Sequence, residues 1–347
     1  MSALLGIILH SIGGITAASF YTPFKKVKGW AWENYWLVSG IASWIIMPWV
    51  LGWLTVPNLG DVLTSSSGTT LVWTFLFGIL WGIGGLTFGL SMRYLGLSLG
   101  YALALGFSAA FGTIIPPLFE GTFLQLLSTT SGLLVMSGVL VCLLGIMICG
   151  KAGLRKEKEL PQEAKQNSIT EFDLKKGITV AIVSGILSAC MAFGLAAGKP
   201  LGEVAISYGT HPLWQNTIIL IVVLLGGFCT NFVWCLVLNV KNRTSGQYFN
   251  KSSFPLRRNY LFASLAGIIW YLQFMFYGIG STQMGRFDFA SWTLHMAFII
   301  VFSNLWGFYF REWEGASVTT KRIIYIGLFT IILSTAIIGM SAYMAEL

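Results

Sequence analysis

The chain has 347 residues, of which 55% are hydrophobic and only 10% charged, and its mean hydropathy is +0.75. Soluble domains carry about 25% charged residues and could not bury this much apolar surface in one core, so a soluble globular protein is excluded and lipid is the expected solvent. The net charge of +8 does not point to nucleic acid, because the basic residues form short clusters between apolar runs, with no basic helix or aromatic-interleaved stripe.

Apolar runs of the roughly 20 residues needed to span a bilayer fall near 3–22, 34–56, 70–92, 97–119, 131–150, 176–198, 213–239, 260–280, 288–310 and 322–345. The first lacks the basic leader and small-residue cleavage site of a signal peptide, so it is expected to be a retained helix. The five cysteines (Cys142, Cys149, Cys190, Cys229, Cys235) all lie inside apolar runs without metal-ligand spacing and read as small apolar fillers. Counted in order, the odd-numbered loops hold 19 of the 21 basic residues, and only Lys199 and Arg286 fall on the other side. The positive-inside rule then makes the odd loops cytoplasmic and both termini periplasmic.

The long polar stretch 151–176 divides the chain into an N-terminal set of five helices (1–150) and a C-terminal set of five (177–347). An odd number per set makes the second enter the membrane in the opposite sense. Gly6-Ile7, Gly14-Ile15 and Ala18 recur at identical spacing as Gly177-Ile178, Gly185-Ile186 and Ala189. The fold class expected is therefore an all-α polytopic membrane protein, with ten transmembrane helices arranged as two inverted five-helix repeats and a site between the halves near mid-membrane. Pairs spaced GxxxG (Gly78/Gly82, Gly85/Gly89, Gly96/Gly100, Gly194/Gly198) are expected at close helix crossings.

No P-loop, HExxH, nucleophile elbow or complete GxGxxG after a strand is present, so neither an enzyme nor an ATP-driven pump is expected, and no metal or organic cofactor. Coupling, if any, must use an ion. Ionisable residues inside the membrane are costly and mark function by default. In the ninth run Asp288, Ser291, Trp292 and His295 stand at i, i+3, i+4 and i+7, one helix face; in the eighth, Trp270, Gln273, Phe274 and Tyr277 repeat that spacing. His10 sits among small residues in the first. His10, Gln273 and His295 each lie 15 or 16 residues from a cytoplasmic basic residue (Lys25, Arg258, Arg311), which places them at one level, roughly 22–24 Å into a core of about 30 Å. Bland readings stand beside these. Trp270 and Phe274 equally fit packing, Asp288 equally fits a helix cap, Asn231 fits interhelical glue, and His211 fits an external loop.

These residues sit within stretches that resemble a known family, the L-rhamnose–proton symporters of the drug/metabolite transporter superfamily. The matching stretches are Phe20-Tyr21 with Pro23-Phe24-Lys25-Lys26-Val27-Lys28, Trp30, Trp32-Glu33, Ser43-Trp44-Ile45-Ile46 and Pro48-Trp49. They continue with Met92-Arg93-Tyr94-Leu95-Gly96, Leu174-Lys175-Lys176-Gly177, Ala197, Lys199-Pro200 and Trp270-Tyr271-Leu272-Gln273-Phe274, and end with Asp288, Ser291-Trp292 and Leu294-His295-Met296. The sequence departs from the family pattern at Gly84-Gly85, where polar residues are expected, and at Arg286, an added charge.

The resemblance implies a carrier of the bacterial inner membrane that imports a 6-deoxyhexose, L-rhamnose first among them, together with a proton, by alternating access. An exporter of a small metabolite or drug on the same scaffold is the alternative. A sugar offers an apolar C–H face for aromatic rings and hydroxyls that need polar partners. Trp270, Tyr277 and Trp292 fit the first need, and Gln273, Ser291, His10 and His295 the second. Asp288 and His295 are the candidates for the coupling proton. Lys199 fits either the outer entrance or a snorkelling role.

Overall fold

The computed structural model describes residues 3–95, 97–159 and 174–344. Among these every regular element is helical and there is no strand. A bilayer offers no partner for backbone N–H and C=O groups, so each spanning segment must satisfy its own. The long helices among the described residues are α1 (Ala3–Ser19), α2 (Trp32–Thr55), α3 (Gly68–Leu95), α4 (Leu97–Phe119), α5 (Thr130–Glu159), α6 (Leu174–Ala197), α7 (Asn216–Asn242), α8 (Leu256–Ser281), α9 (Ser291–Tyr309) and α10 (Val318–Met344). Among the described residues nine helical spans are long and apolar enough to cross a membrane. The stretch Leu103–Phe119 of α4 is apolar but shorter.

Two expectations need correction. The polar stretch expected to begin at residue 151 is helical as far as Glu159, because α5 continues unbroken through it. The rest of that stretch, residues 160–173, lies outside the described residues. The ninth helix begins at Ser291, with Asp288 in a 3-10 turn (Gly285–Ala290) kinked at Phe287. The side chain of Arg286 lies outside the described ones.

The chain forms two compact units, one from residues 1–14, 84–192 and 280–347 and the other from 15–83 and 193–279. In the first, α5 packs along α10 at glycines. A Cβ on Gly145 would lie 2.9 Å from Ile331 N, and one on Gly327 would lie 2.9 Å from Cys149 N, so only glycine permits this backbone approach. The first unit's apolar core gathers Val135, Val139, Phe287, Leu294 and Ile338, which fixes the 3-10 turn against α5 and α10. At one end Glu159 holds the start of α10: its carboxylate accepts hydrogen bonds from Ser317 N (2.7 Å), Ser317 Oγ (2.7 Å) and Thr320 Oγ1 (2.8 Å). Those bonds, with one from Arg155 Nε, pull the Glu159 carboxyl down to about 2.

In the second unit α3 crosses α7, where a Cβ on Gly78 would lie 2.0 Å from Val223 O. The pairs Gly78/Gly82 and Gly194/Gly198 meet such close neighbours, whereas Gly85 and Gly89 face open space; Gly96 lies outside the described residues. A polar tie joins the start of α2 to the turn after α7. Glu33 Oε1 accepts from Thr244 Oγ1 (2.7 Å) and Asn242 Nδ2 (3.0 Å), while Asn34 Nδ2 donates to Gln247 Oε1 (2.7 Å). Lys28 and Asn259 exchange a pair of bonds beside it.

Within α2 the segment Ile41–Ile46 is π-helical, with Met47 N–H bonded to Ala42 O five residues back. Pro48 supplies the reason. It has no N–H for the Trp44 carbonyl four residues earlier, and its ring crowds that carbonyl, so the helix widens by one residue before it.

Two outcomes follow from this packing. Gly145→Val is expected to destabilise the protein by about 1–3 kcal/mol through overpacking, while Gly85→Ala leaves thermal stability in detergent unchanged; equal melting temperatures would count against the α5–α10 contact. The Glu159 carboxyl sits below its unfolded value, so its contribution is complete above about pH 4.5 and is lost as pH falls toward about 2. Glu159→Gln should therefore flatten the fall in melting temperature across that acid range.

Candidate functional site

The first unit brings two intramembrane histidines together. His10 of α1 and His295 of α9 are fully buried, with ring centroids 6.4 Å apart and planes inclined at 62°. Gly280 makes room for His10: a Cβ there would lie 3.2 Å from Nε2. Trp292, one turn before His295, lies 6.4 Å from it by ring centroid. Its indole is fixed from α4, donating from Nε1 to Ser108 O at 3.0 Å and lying so close to Gly112 that a Cβ there would fall 2.3 Å from Cδ1. Thr113 and Thr293 hydroxyls bond beside it. Ser291 Oγ and Ser108 Oγ are buried with no hydrogen-bond partner among the described residues, so both retain capacity toward a hydroxylated ligand.

Of the four residues expected on one face in the ninth run, Ser291, Trp292 and His295 share α9 and are buried. Asp288 stands half-buried in the preceding turn. The N-cap position of α9 itself is Ala290, without a side-chain bond.

In the second unit the α8 stripe takes the expected form. Gln273, Phe274 and Tyr277 are buried and Trp270 is half-buried. What spacing did not reveal is the rest of the cluster. Trp270 meets Trp44 of α2 (5.5 Å, 86°) and Trp81 of α3 (5.8 Å, 39°), and Phe274 meets both Trp270 (5.1 Å) and Trp81 (6.1 Å). Pro48 in the middle of an apolar run was the sequence signal for an irregular helix at Trp44. Trp81 carried no signal, because an aromatic in a spanning helix is ordinary.

The other polar candidates have plain roles. Asn231 accepts from Trp36 Nε1 (3.1 Å) and donates to Gly227 O (3.0 Å), tying α7 to α2. His211 is exposed and accepts from Leu213 N in a short 3-10 turn. Lys199 opens the short helix Lys199–Ser207 with its side chain exposed. Among the described residues no group of three His, Cys, Asp or Glu gathers as a metal site.

Comparison with known proteins gives a single result. The family described as L-rhamnose-proton symport protein matches residues 1–345. The L-rhamnose-proton symporter of Yersinia pestis (strain Pestoides F) is 38% identical over 340 residues, covering 97% of this chain and 97% of that protein. The L-rhamnose-proton symporter of Escherichia coli (strain SMS-3-5 / SECEC) is 39% identical over 339 residues, with the same coverage of both.

The seating of Trp292 is testable without a ligand. Gly112→Ala should displace the indole and break its bond to Ser108 O, lowering the melting temperature by several degrees. Trp292→Phe in that background should recover part of the loss, a coupling of about 0.5–3 kcal/mol. Strict additivity of the two substitutions would show that Gly112 and Trp292 do not act together.

Proposed function

The chain belongs to the L-rhamnose-proton symport protein family, and from that membership we propose that it imports L-rhamnose together with a proton across the bacterial inner membrane. The observation that carries this is identity near two residues in five along 97% of both chains. The protein is a multi-pass membrane carrier that needs no cofactor; the proton gradient supplies the driving force.

In this reading the ten long helices form two inverted five-helix repeats, 1–150 and 177–347, joined by the basic stretch 151–176, with both termini periplasmic. The placement of 19 basic residues against 2 supports the orientation, and the matched Gly-Ile spacing of the first and sixth helices supports the repeat. Trp270 and Tyr277 cover the C–H face and methyl group of the sugar, and Gln273 bonds a hydroxyl. His10, Ser291, Trp292 and His295 contribute the remaining polar and aromatic contacts. Support comes from the Ser291 hydroxyl, buried with no hydrogen-bond partner among the described residues, and from the indole of Trp292 bonded to Ser108 O. Asp288 and His295 carry the proton, the imidazole because it titrates near pH 6.5 in water and responds to small changes of surroundings.

In proteoliposomes, labelled L-rhamnose should accumulate against its gradient when the outside is acidic, and a protonophore should abolish this. Asp288→Asn is expected to cut accumulation about tenfold or more while preserving downhill exchange, because exchange between loaded states needs no net proton release. His295→Gln should flatten the pH dependence of binding. Proton-driven accumulation at the wild-type level in Asp288→Asn would remove that carboxylate from the coupling route. A reporter active only in the cytoplasm should be silent after Leu347 and active at Gln166.

A further inference from the structure

Trp44 is a tryptophan whose N–H the fold leaves unanswered. Three other tryptophans have protein acceptors: Trp30 Nε1 donates to Gln247 O, Trp36 Nε1 to Asn231 Oδ1 and Trp292 Nε1 to Ser108 O, all at 3.0–3.1 Å. Trp44 is 5% exposed, and its Nε1 is buried with no hydrogen-bond partner among the described residues. A buried donor without an acceptor is costly, so a persistent one marks a place where something else binds.

The local geometry agrees. Trp44 lies in the π-helical segment Ile41–Ile46, a distortion that is rare and frequently found at functional sites. Its six-membered ring rests on its own helix, where a Cβ on Gly40 would lie 2.8 Å from Cζ3 and 2.9 Å from Cε3. In an indole the N–H leaves from the opposite edge, so the donor points away from Gly40. The ring stands nearly perpendicular to Trp81 (6.2 Å, 88°) and Trp270 (5.5 Å, 86°), both half-buried. Trp36, Trp81, Trp270 and Phe274, the aromatic neighbours of this cluster, carry no charge. A donor that cannot accept, set among aromatic faces, suits a ligand with an acceptor oxygen and an adjoining apolar face.

We infer that the Trp44 indole N–H donates a hydrogen bond to a hydroxyl oxygen of the transported sugar, with Trp81 and Trp270 covering the sugar's apolar face. The assignment rests on the sugar-transport reading and adds two residues, Trp44 and Trp81, to its binding set. Its competitor is an N–H···π contact from Trp44 to a neighbouring ring, which would serve packing alone.

Calorimetry on the purified full-length protein, titrated with L-rhamnose and with its monodeoxy analogues, separates these. Trp44→Phe keeps an aromatic ring and removes the donor. It should weaken L-rhamnose binding about tenfold, the effect of one lost hydrogen bond, with little change in the melting temperature of the unliganded protein. One monodeoxy analogue, lacking the accepting hydroxyl, should bind more weakly than L-rhamnose to the wild type yet equally to Trp44→Phe. Trp36→Phe, whose N–H already has Asn231, should lower the melting temperature and leave affinity intact. If Trp44→Phe does not fold, Trp44→Tyr carries the same analogue comparison, its hydroxyl restoring a donor; retention of the analogue preference supports the bond, and no preference in either wild type or variant overturns it. Wild-type affinity in Trp44→Phe, with or without a lower melting temperature, overturns the inference alone. Failure of the wild type to bind L-rhamnose at all overturns the transport reading and this inference with it.

Discussion

Helices in lipid gain little from hiding apolar side chains from one another, since hydrocarbon is as apolar as leucine. What holds each unit together is close contact of backbones, and glycine makes it available. Gly145 and Gly327 set α5 against α10, and Gly78 and Gly226 set α3 against α7. Two features of the candidate site follow from these crossings. The 3-10 turn that carries Asp288 rests on apolar side chains of α5 and α10, and the α3 that carries Trp81 is placed by its crossing with α7.

Polar groups fall into two populations with different work. Near the helix ends they are paired with each other: Glu33 with Thr244 and Asn242, Lys28 with Asn259, Glu159 with Ser317 and Thr320. Two of these, Lys28 and Glu33, belong to the stretches that carry the family resemblance, and the bonds hold the turns between helices. Deeper in the chain's spanning segments the pairing is incomplete. Ser291 Oγ, Ser108 Oγ and Trp44 Nε1 are buried with no hydrogen-bond partner among the described residues, each at a cost of about 1–3 kcal/mol if nothing binds there. A carrier has reason to accept that cost, because a site already satisfied by its own protein has nothing left to offer a sugar.

The chemistry of symport divides in the same way. A neutral sugar calls for flat aromatic faces and single hydrogen bonds, and the tryptophan cluster of α2, α3 and α8 is the group proposed to offer them. A proton needs an ionisable group, and Asp288 and His295 are the proposed carriers.

The sequence by itself determined the membrane class, the positions of the long helices to within a few residues except at the end of α5, and the residues of α8 and α9 that share a face. These rest on local quantities: run length, charge placement and a fixed 3.6-residue turn. It could not determine which face of each helix turns inward. In water an amphipathic stripe reports that face, but in lipid both faces are apolar and the stripe disappears. Hence the pairing of His10 with His295, the seating of Trp292 in a groove made by Gly112, and the meeting of Trp44, Trp81 and Trp270 from three helices were decided only by the tertiary structure. The start of the ninth helix after Asp288, and the π-helical turn before Pro48, were decided there too. Each depends on packing against chain that is distant in sequence or on a local break in the very periodicity from which the helices were read.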